Sequence, residues 1–183
     1  MCGNAVRCDL YNMTIEVYKQ LKNLNISVPN LNDGQSIFEL IKRCEPLDLN
    51  SSYLYFIQSH FFNNTCAVLK NKSDQIQAFV SGFIKPNDHK TLFIWQVAVD
   101  ESMRGQGVAI RLIEFILKNN PLITHIETTV TKNNQASRKM FATLSTKLDT
   151  QMTEQVFLDK DKHFFNQHES EYLFRIGPIT SIR

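Results

Sequence analysis

The tightest constraint in this sequence is Thr91–Val99, TLFIWQVAV, an almost continuous apolar run broken only by Gln96. A strand with apolar side chains at both alternate sets of positions must be covered on both faces, as happens in sheets flanked by helices. The residues that come next narrow the fold further. A short loop over 100–107 ends in Arg104-Gly105-Gln106-Gly107, and Val108–Lys118 then takes up helical spacing. Val108, Ala109, Leu112, Ile113, Ile116 and Leu117 form one stripe, with Arg111, Glu114 and Lys118 opposite. A buried strand, a glycine turn and an amphipathic helix thus succeed one another without a break.

Turn signals extend this unit in both directions. Asn25–Pro29 reads as a short strand, and Asn32-Asp33-Gly34 as a turn and cap before a helix carrying Ile37, Leu40 and Ile41. That helix is expected to end near Cys44, short of Pro46. Asp48–Ser52 offers several N-cap candidates for a second helix through Tyr53 to Phe61. TCAVLK and QIQAFVSGFI read as strands joined by the polar turn Asn71–Asp74, and Lys85–Asp88 turns into the long apolar strand. THIETTVT is a further strand. Asn133 and Asn134 stand where they would cap a helix whose inner side is Ala136, Met140 and Leu144. The tail is less regular, with a last strand near Glu171–Ile176. The order βααβββαβα, then β, predicts an α/β (α+β) domain with a mixed sheet and helices on both faces. Residues 1–24 read as an N-terminal extension and 25–183 as one domain, with Met13 a candidate natural start. MCGNAVRC resembles the cysteine loop of diaminopimelate epimerases, but no second catalytic cysteine accompanies it, and that reading is set aside.

Composition excludes several classes. The 183 residues suit one domain with a sizeable core. A net charge of +2, with no Lys/Arg stripe, argues against nucleic acid or an anionic membrane as partner. No apolar run approaches the ~18 residues that span a bilayer. The first residues lack the pattern of a secretory signal, so a cytoplasmic protein is expected. Cys2, Cys8, Cys44 and Cys66 form no C-x-x-C pair and read as free thiols, with Cys66 a small buried residue. No metal is expected.

Arg104-Gly105-Gln106-Gly107-Val108-Ala109 carries the chemistry. A helix start has unpaired N–H groups and a partial positive charge, which suit a phosphate. Glycines let the backbone bend and approach closely, and Arg104 adds a formal charge. An ordinary tight connection has the same look. The turn is neither a Walker loop nor a dinucleotide fingerprint, since the lysine of the first and the third glycine of the second are missing.

R-x-x-G-x-A after a strand ending in V-x-V resembles the coenzyme A signature of the GNAT acetyltransferase superfamily, as does the element order. Thr131, Asn134 and Ser137 match its later segment. The resemblance implies the acyl-CoA N-acyltransferase fold, with acetyl-CoA as co-substrate. It implies that N–H groups from Gln106 to Ala109 hold the pyrophosphate, beside Arg104 and Gly105. It also implies that Val97 and Val99 present main-chain groups to the pantetheine arm, with Asn134 and Ser137 against that arm. An N–H near Val97 would polarise the thioester carbonyl.

Pro46–Tyr53, Phe79–Phe83, Leu92–Val99, Glu127–Thr131 and His168–Glu171 resemble, more narrowly, the diaminobutyrate acetyltransferases of ectoine synthesis. That resemblance covers roughly residues 25–178. It implies L-2,4-diaminobutyrate as acceptor and a homodimer. Such a substrate carries two ammonium groups and one carboxylate, so its site needs acids and donors. Asp48 and Glu171 are the candidate acids, Asn50, Tyr53 and His168 the donors, and Trp95 the wall along the aliphatic chain. Glu171 or His168 would take the proton from the attacking amine, directly or through water. Phe141 stands where many superfamily members place a tyrosine acid. The thiolate would therefore be protonated by solvent or by the amine itself.

Blander readings attach to the same residues. Asp48 and Asn50 could cap the second helix, Tyr53 and Trp95 could be packing residues, and His168 and Glu171 could be exposed groups before an edge strand. Gln96 needs a partner that the sequence does not name. Other functions compatible with the pattern are acetylation of a different small amine or a peptide N-terminus, and non-catalytic coenzyme A binding.

Overall fold

The computed structural model describes residues 25–180. Its strands are β1 (Asn25–Ser27), β2 (Ala67–Lys70), β3 (Ile76–Lys85), β4 (Asp88–Val99), β5 (His125–Thr131), β6 (Met152–Leu158) and β7 (Glu171–Ile176). Its α-helices are α1 (Gly34–Lys42), α2 (Ser52–Phe61), α3 (Val108–Asn119), α4 (Gln135–Lys147) and α5 (Lys160–Phe164). The strands form one sheet in the order β1-β2-β3-β4-β5-β7-β6. Every pairing is antiparallel except β4 with β5. The expected mixed sheet between helices is therefore present.

Two cores sit on opposite faces. α3 and α4 cover one face through Leu112, Ile113, Ile116, Leu117, Phe141 and Leu144, which meet Leu92, Ile94, Ile126 and Phe174 of the sheet. Each fully buried side chain of this size contributes about 1.5–3 kcal/mol relative to exposure. α1 and α2 cover part of the other face through Ile37, Leu40, Ile41 and Tyr55, against Val68, Phe79 and Ala98. Cys44 and Cys66 are free and buried. Burial pushes the Cys66 thiol up to about 12.

Several local expectations need correction. β6 and α5 are absent from the predicted order; β6 exposes five consecutive residues, Thr153–Phe157, so no alternation marks it. On α4, Phe141, Leu144 and Ser145 face inward while Ala136 is exposed. On α3, Ile110 is buried beyond the predicted stripe and Ala109 only half-buried. Of the cap candidates offered by Asp48–Ser52, Ser51 is the one that caps α2, accepting from the Tyr53 N–H at 3.3 Å, and Asp48 and Asn50 do not. The extension expected over 1–24, with Cys2, Cys8 and Met13, lies outside the described residues.

The centre of β4 is irregular. Ser81 pairs with Gln96 and Gly82 with Ile94, so Trp95 is an extra residue in β4, a β-bulge. Leu92 and Ile94 face the α3/α4 core, yet Ala98, at the same parity, belongs to the α1/α2 core. The bulge inverts the pleat. Gln96 and Ala98 turn toward α2, while Val97 and Val99 pack against the α3/α4 side.

Candidate active site

β4 and β5 pair only over Thr91–Phe93 and His125–Glu127, and beyond these residues the strands part. A cleft of about 880 Å³ opens in the gap. It passes through the sheet. Ile94, Ser137 and Phe141 line it from the α3/α4 side, and Asp48, Trp95, His168 and Glu171 from the other. A ligand entering from one face can therefore meet a ligand entering from the opposite face.

On the strand side, the Asp100 N–H donates to the Gln77 carbonyl at 2.8 Å. By the alternation of a strand, Val97 and Val99 then direct their main-chain groups away from β3, toward the gap. Val97 lines the cleft. Val99 ends β4 outside that lining, and its carbonyl accepts from Arg104 Nε at 3.1 Å.

The turn into α3 continues from that strand end. Gly105 and Gly107 adopt φ of 74° and 71°, where a side chain is strained. No atom lies within 4 Å of the place a Cβ would take at either glycine. Gly107 is the N-cap of α3 and no side chain caps that end. The first N–H groups of the helix thus have no capping side chain, which fits a diphosphate. Gln106 folds back, its Nε2 donating to the Ser102 carbonyl at 2.9 Å. Arg104–Ala109 lie at the end of β4 and do not themselves line the cleft.

Across the gap, Asn134 caps α4, its Oδ1 accepting from the Ser137 N–H at 3.0 Å. That leaves the Asn134 amide nitrogen and the Ser137 hydroxyl on the cleft wall. Asn133 Nδ2 donates to Glu169 Oε1 at 2.5 Å, tying this loop to the segment that carries His168.

The opposite mouth is acidic. Asp48, Glu169 and Glu171 line the cleft, and no Lys or Arg is among the described lining residues. Burial raises the Glu171 carboxyl above its ordinary range. His168 and a hydrogen bond with Thr129 pull it down, while Asp48 and Glu169 push it up. His168 Nε2 lies 3.9 Å from Glu171 Oε1. His168 Nδ1 is 2.7 Å from the Glu169 carbonyl, which can only accept, so Nδ1 carries the proton and the neutral ring keeps a lone pair on Nε2.

Trp95 stands 53% exposed in the cleft wall, its ring edge-on to Phe83 at 6.2 Å, so it is not a core residue. Asn50 lines the cleft. Tyr53 does not; it is 70% exposed on the outer side of α2. The inward tyrosine of that helix is Tyr55, which sequence reasoning missed. Its hydroxyl donates to Gln96 Oε1 at 3.3 Å, supplying the partner that Gln96 required. Thr129 and Glu169 were also missed. Thr129 and Thr131, on the opposite side of β5 from Ile126 and Val130, were the available signal for the first.

Three comparisons bear on this arrangement. Residues 34–145 match the acetyltransferase (GNAT) family. The L-2,4-diaminobutyric acid acetyltransferase of Methylotuvimicrobium alcaliphilum is 44% identical over 162 residues, covering 87% of this chain and 94% of that protein. The protein of the same name from Vibrio cholerae is 43% identical, over 84% of this chain and 88% of its own length. The diaminobutyrate acetyltransferase of Paenibacillus lautus, solved with its substrate L-2,4-diaminobutyric acid and coenzyme A, superposes with a TM-score of 0.80 at 35% identity, covering 87% of this chain and 97% of that one. With a glycine turn open at a helix start and an acidic cleft through a parted sheet, this chain belongs to the GNAT acetyltransferases and, among them, to the L-2,4-diaminobutyric acid acetyltransferase family.

Proposed function

We propose that this chain transfers the acetyl group of acetyl-CoA to the 4-amino group of L-2,4-diaminobutyrate. The product, N4-acetyl-L-2,4-diaminobutyrate, is the precursor of ectoine, a compatible solute. The observation that carries the substrate class is the charge of the cleft: three carboxylates and no Lys or Arg among its described lining residues. Such a mouth suits a small dication with a single carboxylate. Asp48 holds the spectator ammonium, Asn50 donates to the carboxylate, and Trp95 packs along the aliphatic chain. His168, its one N–H already on the Glu169 carbonyl, offers only the Nε2 lone pair beside Glu171.

When bound, acetyl-CoA supplies an acetyl group activated as a thioester. The amides from Gln106 to Ala109 hold its diphosphate, with Arg104 beside them. Asn134, Ser137 and the main chain of Val97 and Val99 flank its arm. The Val97 N–H donates to the acyl oxygen as negative charge develops there, a contribution of about 3 kcal/mol for a well-placed donor. The attacking amine arrives protonated, since its ordinary pKa is near ~10.4. Glu171 accepts that proton, directly or through a water, and its raised carboxyl is a stronger base for being buried. Phe141 has no proton to give to the leaving thiolate, which takes one from solvent or from the amine.

Release of free thiol with acetyl-CoA and diaminobutyrate tests the assignment, with ornithine, lysine and an N-terminal peptide in parallel. Turnover confined to one of the other amines rejects it. We also read the chain as a cytoplasmic homodimer. The exposed Val156 and Phe157 on the edge strand β6 support association, and the two free described cysteines suit a reducing compartment. Light scattering on the purified protein reads the oligomeric state.

A further inference from the structure

Asp48–Asn50 belongs to no helix or strand. Among the described residues, its main chain is tied to the body of the fold by two side chains. Gln96 Nε2 donates to the Asp48 carbonyl at 3.0 Å, and the Tyr55 hydroxyl accepts from the Asn50 N–H at 3.4 Å. The same hydroxyl donates to Gln96 Oε1 at 3.3 Å, so the two links form one unit. Tyr55 is fully buried and Gln96 nearly so. In this sequence Gln96 takes this part because the strand bulges at Trp95. In a regularly pleated strand of the same sequence, Gln96 would share the side of Ile94, which is the α3/α4 side of the sheet.

We propose that Gln96 is a positioning residue for the amine acceptor, acting with Tyr55 to set the distance between the Asp48 carboxylate and β4. The proposal rests on the functional reading above. One end of β4 presents the main chain of Val97 to the acyl group, and its neighbour Gln96 grips the loop that carries the acid. Acid and acyl site are thus referenced to consecutive residues of one strand. Substrate length is measured between them: an amine one methylene longer, with its spectator ammonium on Asp48, overshoots the reacting position. Gln96 also lines the cleft, and it governs the preference for diaminobutyrate over ornithine through the loop it holds.

The test uses Gln96→Met, which keeps the volume and loses both hydrogen bonds, and Tyr55→Phe, which removes one hydroxyl. Initial rates are measured with diaminobutyrate and ornithine, and the KM for acetyl-CoA alongside. The expected result for Gln96→Met is a KM for diaminobutyrate raised about tenfold, the equivalent of ~1.4 kcal/mol, with the KM for acetyl-CoA within about twofold. The ratio of kcat/KM for diaminobutyrate to that for ornithine falls. Tyr55→Phe shifts the same quantities in the same direction by less, and the double variant is less than additive because the two residues share one hydrogen bond. An unchanged substrate ratio overturns the proposal, as does an equal rise in both KM values. Should Gln96→Met not fold, Tyr55→Phe decides alone on the same two readouts. Wild-type enzyme that ignores diaminobutyrate but acetylates another amine defeats the functional assignment, whereas normal wild-type turnover with an unaltered ratio in the variants defeats only the role of Gln96.

Discussion

Lys85 of β3 reaches across β4 to Glu127 of β5, Nζ to Oε2 at 2.6 Å, at the end of the sheet where β4 and β5 still pair. The Glu127 side chain is 5% exposed, and its other oxygen accepts from Arg175 of β7. Four adjacent strands are thereby clamped below the point where the cleft begins. Glu127→Ala leaves two cations without their shared anion. Breaking a buried pair costs about 3–5 kcal/mol, and both cations keep about a third of their surface in water, so a loss of about 3 kcal/mol is expected in urea unfolding.

Gly107→Ala separates the cofactor turn from the acceptor site. Its φ of 71° costs a residue with a Cβ about 1–2 kcal/mol. The added methyl stands in open space, so the fold survives. A higher KM for acetyl-CoA and an unchanged KM for diaminobutyrate are expected, read from initial rates with each substrate varied in turn.

Glu171→Gln should lower kcat by about 10²–10⁴-fold, the usual contribution of a general base. In the wild type, kcat/KM falls as pH drops through the Glu171 pKa. Burial holds that pKa above the ordinary carboxylate value, so the acid limb begins at a higher pH than a surface glutamate would give. The sign for stability is opposite to that for rate. A carboxyl with a raised folded pKa costs stability above that pKa, and the cost is relieved as pH falls through it. At neutral pH, Glu171→Gln is expected to melt no lower than wild type, which a thermal scan measures.

Asp48→Asn preserves the main-chain carbonyl that Gln96 binds and removes only the charge. Loss of one charge-assisted hydrogen bond, about 1.5–3 kcal/mol, raises the KM for diaminobutyrate about ten- to a hundredfold. Asp48 also pushes the Glu171 carboxyl up. Its neutral replacement should move the acid limb of the pH profile to lower pH, a coupling that a residue holding only the fold would not produce.

How far the sequence is legible depends on what each element packs against. β4, the glycine turn and α3 can be read directly because a strand and a helix buried on defined sides carry their periods openly. β7 falls at Glu171–Ile176 both in the sequence pattern and in the structure, because the charged Glu171 and Arg175 stand opposite in phase to the inner Tyr172, Phe174 and Ile176. β6 escapes notice, since an edge strand with nearly every side chain in water bears no pattern. Tyr53 and Tyr55 are hard to tell apart because α2 carries aromatics at 53, 55 and 56, and only the sheet it meets decides which turns inward. The site acids are legible by resemblance. The partner of Gln96 is not, because a bulge is a relation between two strands and leaves no mark in one.

The surplus residue in β4 has a consequence for how this chain can vary. Side-chain replacements along Thr91–Val99 alter local packing one position at a time. Loss of a single codon between Ile94 and Gln96 would do something different. Ser81 and Gln96 would stay opposite each other and the downstream residues would keep their faces, but the kink would close into an ordinary pleat and the aperture would lose the indole from its rim. Length at this one point therefore shapes the opening while leaving both packed faces as they are.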